Sequence, residues 1–298
     1  MSRCAAIILA AGRGTRLGFD KILTPIADKP VLQYSLEAVQ RTEEVIEVII
    51  PTREDIREQI EACLEKVDLK VPYQVILGGK ERQDSVLAGL EAVDSDAGYA
   101  LIHDSARPMI RPSLIRAVLE VAIEHGGAVC GKPCSDTLKR ANENSLIECT
   151  LDRKDVWQVE TPQIFELASI REAYRRVIQD QLSITDDTSA WELMGKKARL
   201  VDSKQQNFKI TRADDWALAE LFLREENLRE LRKDLHALNN YLSPLVGYLP
   251  LLGKYLDSPE RARDYLNKIE VAMPQVTQTL QKIMNETSFL SHHRSDRE

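Results

Sequence analysis

The sequence predicts an α/β protein with a mostly parallel, mixed sheet and a projecting hairpin arm, followed by a C-terminal all-α helical hairpin. Three observations lead there. Short apolar runs alternate with amphipathic stretches through roughly the first 220 residues. That alternation breaks once, between residues 134 and 157, where polar and apolar residues mix. Beyond Leu228 a different pattern takes over, with leucines at alternating spacings of three and four.

Ala5–Leu9, Val45–Ile50, Val71–Leu77, Tyr99–His103 and Ala128–Lys132 are short and apolar, as strands covered on both faces must be. Between them Val31–Gln40, Arg53–Glu65, Arg82–Ala92 and Pro112–His125 carry helical periodicity. Such alternation builds a parallel sheet, whose ligands bind outside the carboxyl ends of the strands. In the break, Asp136–Arg140 and Leu146–Leu151 read as two strands joined by the turn-rich Ala141-Asn-Glu-Asn144. Lys197–Asp202 and Phe208–Thr211 read as returning strands, and Ala213–Leu223 as a helix. The expected domains are 1–223, with its arm at about 134–157, and 224–298.

In the tail, leucines 228, 231, 235, 238, 242, 245, 249, 252 and 256 form one seam. A second follows Asp257-Ser-Pro259, with Leu266, Ile269, Met273, Val276, Leu280 and Ile283. This is the pattern of helices buried against other helices. Asp257 or Ser258 would cap the second helix with Pro259 at its first position, while Pro244, Pro250 and Pro274 should kink the helices.

The chain has 298 residues, 40 Lys+Arg against 47 Asp+Glu, and a formal charge of −7. Residues 224–298 hold 11 basic and 11 acidic residues, so the whole excess lies in the first domain. An acidic balance argues against nucleic acid as a partner. The longest apolar run, Ala5–Ala11, is too short to span a bilayer and lacks the flanks of a secretory signal, so no membrane and a cytoplasmic location are expected. Cys4, Cys63, Cys130, Cys134 and Cys149 form no Cys-x-x-Cys pair and read as buried thiols rather than metal ligands.

The chemistry should lie after the first strand, in Leu9-Ala-Ala-Gly-Arg-Gly-Thr-Arg-Leu-Gly18 and the nearby Lys21. Gly12 and Gly14 let successive backbone N–H groups converge on an anion, and Arg13, Arg16 and Lys21 add positive charge. No Gly-Lys-Ser/Thr ends the loop, and Leu17 stands where a dinucleotide fingerprint needs its third glycine. The loop reads as a triphosphate cradle of another kind.

The Ala-Ala-Gly-x-Gly-x-Arg-x-Gly pattern resembles the nucleotide loop of the sugar nucleotidyltransferase superfamily, with its Rossmann-like fold. Gly78–Leu90, His103-Asp-Ser-Ala-Arg-Pro108, Asp136-Thr-Leu-Lys-Arg140, Thr161-Pro-Gln163, Thr185–Ala190 and Asn207-Phe-Lys-Ile-Thr211 narrow the resemblance to the methylerythritol phosphate cytidylyltransferase family over residues 1–222. The resemblance implies that Ala10, Ala11, Gly12 and Gly14 line the nucleotide, and that Arg16 and Lys21 hold its phosphates. It implies that Gly79, Asp84 and Ser85 read cytosine and ribose, and that Asp104 and Arg107 border the meeting point of nucleotide and sugar phosphate. Thr137, Arg153, Thr161 and Lys209 would hold the acceptor, Arg153 reaching across from a partner's arm in a homodimer joined through the arms. Arg16, Lys21 and Lys209 are the implied catalytic cations. One departure is Asp20, where the family usually has proline; Asp20 is expected to pair with Lys21.

The implied partners are CTP and a polyol phosphate, with Mg²⁺ held mainly by CTP phosphates and no protein metal site. A phosphate monoester is already nucleophilic at pH 7, its second pKa being about 6, so no general base is needed. His103 reads as a structural strand-end residue, and Arg82 and Arg140 read equally well as surface charges. In the tail, Leu235–Tyr248 resembles the dimerisation hairpin of sensor histidine kinases, with His236 at the phosphoacceptor position but Ala237 where an acidic residue usually follows. A hairpin that pairs with its twin is the favoured reading there. The alternatives are a ribitol 5-phosphate cytidylyltransferase and a signalling adaptor acting through the histidine-bearing hairpin.

Overall fold

A computed structural model describes residues 3–12, 17–67 and 69–292. Strand β1 (Cys4–Leu9) is followed by the short pair β2 (Pro25–Ile26) and β3 (Lys29–Pro30), helix α1 (Val31–Gln40) and β4 (Val45–Thr52). A 3-10 turn, Glu54–Ile56, leads into α2 (Arg57–Val67), then β5 (Tyr73–Leu77), α3 (Arg82–Glu91), β6 (Tyr99–Asp104) and α4 (Pro112–His125). Next come β7 (Gly127–Pro133), the arm strands β8 (Leu138–Ala141) and β9 (Ile147–Leu151), and β10 (Trp157–Glu166). The remaining elements are α5 (Leu167–Gln179), α6 (Asp187–Leu193), β11 (Arg199–Asp202), α7 (Ala213–Lys254) and α8 (Pro259–His292).

Seven strands pair in the order β11-β7-β10-β6-β1-β4-β5, with β10 antiparallel to both neighbours and every other pairing parallel. The mixed, mostly parallel sheet expected from the alternation is therefore present. Successive side chains of β1 point to opposite faces and are buried on both. Cys4, Ala6 and Ile8 join a core under α1, α2 and α4; Ala5 and Ile7 join another under α3, α5 and α6. Sequence punctuation sets the helix ends: Pro112 opens α4, where its missing N–H costs nothing, and Gly126 closes it at φ 83°. From β1 the chain winds outward through β4 to β5, then returns to β6 on the other side of β1. That reversal makes a crevice beyond the carboxyl ends of β1 and β6, where an α/β sheet binds its ligand.

Several elements depart from expectation. Phe208–Thr211 is not a strand; it runs outside the ladders, with Ile210 N–H bonded to Ala106 O at 2.9 Å. The pattern also did not yield β10, α5 or α6. The arm hairpin is present, pairing Leu138 with Leu151, and its strands are largely exposed. Cys149 is exposed there, unlike the other four cysteines, which are buried.

The chain divides into two compact units, Met1–Ala219 and Glu220–Glu298, so the division falls inside the continuous α7. In the second unit Leu238 and Leu245 of α7 bury against Val276 of α8, with Tyr241, Ile269, Ala272 and Ile283 around them. Lys282 of α8 pairs with Asp234 of α7 at 2.6 Å. Pro259 is the first residue of α8, as expected, and Pro244, Pro250 and Pro274 lie inside their helices. His236 is exposed on α7. No helix among the described residues is long and apolar enough to cross a membrane.

Candidate active site

The loop after β1 begins as a continuation of the sheet. Ala10 bridges to Thr52 in parallel fashion, and its N–H donates to Pro51 O at 2.9 Å. Ala11 then packs beside the turn after β5, where there is no room for a side chain: a Cβ on Gly78 would stand 2.8 Å from both Ala11 Cβ and Ser85 Oγ. Ser85 Oγ accepts from Gly79 N–H at 3.0 Å, and Asp84 caps α3 by accepting from Glu81 N–H at 2.9 Å. Ala10, Ala11, Gly79, Asp84 and Ser85 are thus gathered at one edge of the crevice. Gly14 and Arg16 lie outside the described residues.

Asp20 does not pair with Lys21. It takes Arg53, whose guanidinium also donates to Gly12 O at 2.8 Å and to Asp55 at 3.1 Å. One residue at the end of β4 therefore holds both Gly12 and Asp20. Burial opposes the charge on Arg53, but hydrogen bonds to Asp20 and Asp55 raise its pKa above the usual arginine range. Lys21 Nζ is left to donate to Ile210 O at 2.7 Å, next to Lys209.

Asp104, the last residue of β6, is the electrostatic junction. Its Oδ2 accepts from Lys209 Nζ at 2.8 Å and its Oδ1 from Arg82 Nε at 3.2 Å. Burial would raise the carboxyl, but Arg82, Lys209 and Arg107 hold it far below the ordinary aspartate range. Arg82 is no surface charge: its two terminal nitrogens grip the fully buried Asp187 at 2.7 and 2.8 Å. Despite burial, that carboxylate drives the guanidinium pKa well up. The Tyr174 hydroxyl donates to the same carboxylate.

Thr161 lies directly beside Asp104. It is buried, and its hydroxyl accepts from Asp104 N–H at 3.1 Å while lying 3.0 Å from His103 Nδ1. These contacts hold β10 against β6 beside Asp104. His103 is buried as expected, and burial pushes its pKa down to about 3. Asn207, also buried, donates to Thr161 O at 2.8 Å and to Glu160 at 3.2 Å, while Arg107 donates to Asn207 O at 2.8 Å. These bonds fix the segment that delivers Lys209. Thr137 and Arg153 are exposed on the arm, where Arg153 donates to Ser135 O; among the described residues no hydrogen bond ties either to the Asp104–Lys209 junction.

Sequence reasoning missed Arg53, Asp187, Tyr174 and Asn207. Asp187 and Asn207 stand inside motifs that drew notice, so their positions were visible and only their burial was not. Among the described residues no cluster of His, Cys, Asp and Glu is placed to hold a metal ion.

A Rossmann-like sheet with a glycine-rich loop after β1 and two lysines converging at its switch point defines a nucleotidyltransferase. The profile of the IspD family, 2-C-methyl-D-erythritol 4-phosphate cytidylyltransferase, matches residues 4–225. The chain belongs to this family. It is 39% identical over 224 residues to the 2-C-methyl-D-erythritol 4-phosphate cytidylyltransferase of Caldanaerobacter subterraneus subsp. tengcongensis, covering 74% of this chain and 99% of that one. To the chloroplastic cytidylyltransferase of Oryza sativa it is 36% identical, covering 74% of this chain and 75% of the other. Among solved structures, 4-diphosphocytidyl-2C-methyl-D-erythritol synthase of Anaerococcus prevotii superposes with a TM-score of 0.67 at 27% identity, over 75% of this chain and 99% of that one. The Thermus thermophilus cytidylyltransferase gives 0.63 at 29% identity, over 75% and 100%. The family match ends at residue 225, and nothing in it supports the likeness of the helical tail to a histidine-kinase hairpin.

Proposed function

We propose that this chain transfers the cytidylyl group of CTP to 2-C-methyl-D-erythritol 4-phosphate, giving 4-diphosphocytidyl-2-C-methyl-D-erythritol and pyrophosphate. A phosphate oxygen of the acceptor bonds to the α-phosphorus of CTP as the bond to the pyrophosphate oxygen breaks. The observation that carries the reading is the convergence of Lys21 and Lys209: one donates to the carbonyl of Ile210, the other to Asp104, at the crevice between β1 and β6.

The barrier here is the approach of two anions. Like unit charges 4 Å apart repel by about 4 kcal/mol at an effective dielectric near 20. Lys21, Lys209 and Arg107 offset that repulsion and the charge building on the leaving group, in positions fixed before substrate arrives. Asp104 holds Lys209 in place. His103, buried and with a depressed pKa, stays neutral and outside the chemistry. Arg16 is assigned to the phosphates, and Gly14 to the lining of the nucleotide, through the family pattern alone. Thr137 and Arg153 are assigned to the acceptor, with Arg153 supplied by the partner of an arm-linked homodimer. The exposed Leu146 and Ile147 on the arm support that dimer.

Magnesium would be held by the CTP phosphates, where it would neutralise charge. The donor set agrees with a metal carried by the nucleotide: Asp104 is the carboxylate at the junction, and both its oxygens are already held by cations. The buried, unpaired thiols fit a reducing compartment, in keeping with the cytoplasm.

The test is incubation with CTP and Mg²⁺ plus either methylerythritol phosphate or ribitol 5-phosphate, read by pyrophosphate release. Release with methylerythritol phosphate is expected. Release with ribitol 5-phosphate alone would move the enzyme to the other acceptor, and release with neither would leave the adaptor reading.

A further inference from the structure

The α7–α8 hairpin buries one seam and leaves a second uncovered. In heptad terms Leu231, Leu238, Leu245 and Leu252 occupy one core row of α7, with Asp234, Tyr241 and Tyr248 in the other. The helices run antiparallel: Asp234, early in α7, meets Lys282, late in α8, while Tyr248 lies 5.9 Å from Tyr265 between ring centroids. The buried contacts account for these rows. They do not account for Leu228, Leu235, Leu242 and Leu249, an unbroken heptad row of α7 that is 38% to 60% exposed, nor for the exposed Leu256 in the turn just beyond the helix. On α8, Leu266, Met273 and Leu280 repeat the spacing and are 41% to 48% exposed.

Both rows fall one position beyond the core on the same flank. In an antiparallel pair the like-lettered flanking positions of the two helices face each other, so the rows merge into one apolar side. The opposite flank is mixed on α7, with Glu230, Ala237, Pro244 and Leu251, and polar on α8, with Arg261, Lys268, Gln275 and Lys282, so the asymmetry is carried by α8. A hairpin needing only its own seam would gain nothing from this asymmetry. The α7 row from Leu228 to Leu249 is about 32 Å long and the α8 row about 21 Å, and at a helix width near 11 Å they offer at most roughly 580 Å². That lies at the top of the usual range for the largest apolar patch of a monomer, about 300–600 Å². It is about 70% of the ~800 Å² per partner of a stable interface.

We propose that this side is covered by the same side of a second copy, the two hairpins packing about a two-fold axis into a four-helix bundle. An isologous contact must be complementary to itself, and a uniform row of leucines set against an identical row satisfies that. The segment's charges sum to zero, 11 basic and 11 acidic, so no net repulsion opposes pairing of like with like. The interface is separate from the arm and does not depend on which acceptor the enzyme uses.

Sedimentation velocity on the full chain tests this with three variants. Leu235→Lys, Leu242→Lys and Leu249→Lys together place charge on the leucine side without touching the hairpin's own core. Asn240→Lys, Gln275→Lys and Gln281→Lys place the same charge on the outer faces, and Ile147→Glu perturbs the arm. In the Ile147→Glu background, where the arm contact is weakened, the leucine-side changes should weaken association by more than about 10³-fold, because a two-fold contact loses six leucines, three from each copy. The leucine-side variant by itself should keep its helicity by circular dichroism and its cytidylyl transfer. The outer-face variant should associate like the parent. A Leu242→Cys, Cys149→Ser chain treated with a short bis-maleimide should give a covalent dimer even if the lysine variant fails to fold. The proposal falls if the Ile147→Glu chain is already monomeric, or if the leucine-side changes leave the association of the Ile147→Glu chain unaltered.

Discussion

Lys209 Nζ stands 2.8 Å from Asp104 Oδ2, joining a segment with no regular secondary structure to the last residue of a central strand. Arg82 reaches the other oxygen of the same carboxylate from α3. Three separate parts of the chain therefore meet on one buried charge. Because Lys21 leans on Ile210, the neighbour of Lys209, the two lysines share a single support.

Replacing either lysine by alanine should lower kcat about 10²-fold or more, the scale of removing one preorganised charge donor. The double variant should lose less than the product of the single losses, since each change loosens the segment that places the other. Steady-state pyrophosphate release measures this, and turnover near the parent's in both single variants would place the chemistry elsewhere.

Arg53 predicts a different signature. It braces Gly12 and Asp20 but touches neither lysine in the described contacts, so it acts by positioning. Arg53→Ala should raise KM for CTP about tenfold while kcat falls much less, and Arg53→Lys, which keeps charge but loses the fork, should fall between. Equal loss in kcat and kcat/KM would instead give Arg53 a part in the transition state.

The parts legible in sequence were those governed by local pattern. The heptad spacing announced the tail, and apolar runs announced β1, β4, β6 and β7. Strand β10 was hidden because Gln158, Glu160 and Gln163 interrupt its apolar face and Pro162 sits within it, and its pairing slips between Val159 and Gln163. Helix α5 did carry a readable period in Leu167, Ile170, Ala173, Tyr174 and Val177, all buried. The partner of Asp20 could not be read, because Arg53 is distant in sequence and only the sheet brings β4 beside the loop after β1. Local charge favoured Lys21; the fold favoured Arg53.

Arg82 and Asp187 carry a stability prediction. Asp187 is fully buried and bound by both terminal nitrogens of Arg82, with Tyr174 as a further donor. Asp187→Asn takes from Arg82 its charged two-point partner and leaves it Asp104 alone, and losing charge-assisted bonds of this kind costs about 1.5–3 kcal/mol. Urea unfolding should show a lowered midpoint of that order. A loss below about 1 kcal/mol would mean that solvent takes over the pairing.

His103 fixes the acid side of the stability curve. Burial holds its folded pKa near 3, whereas an unfolded histidine titrates near 6.5, so between those values the unfolded chain binds the extra proton. Stability must then rise with pH across that window and fall on acidification, by up to about 1.4 kcal/mol per unit. Asp104, also depressed, adds a slope of the same sign only below an ordinary aspartate pKa of about 3.9. Between pH 6.5 and 4.5 the imidazole accordingly dominates this pair. His103→Gln, neutral throughout, should start less stable at pH 7.5 but lose about 2–3 kcal/mol less than the parent on going to pH 4.5. Urea midpoints at the two pH values decide the matter: parallel declines in parent and variant would show that His103 is protonated in the folded chain.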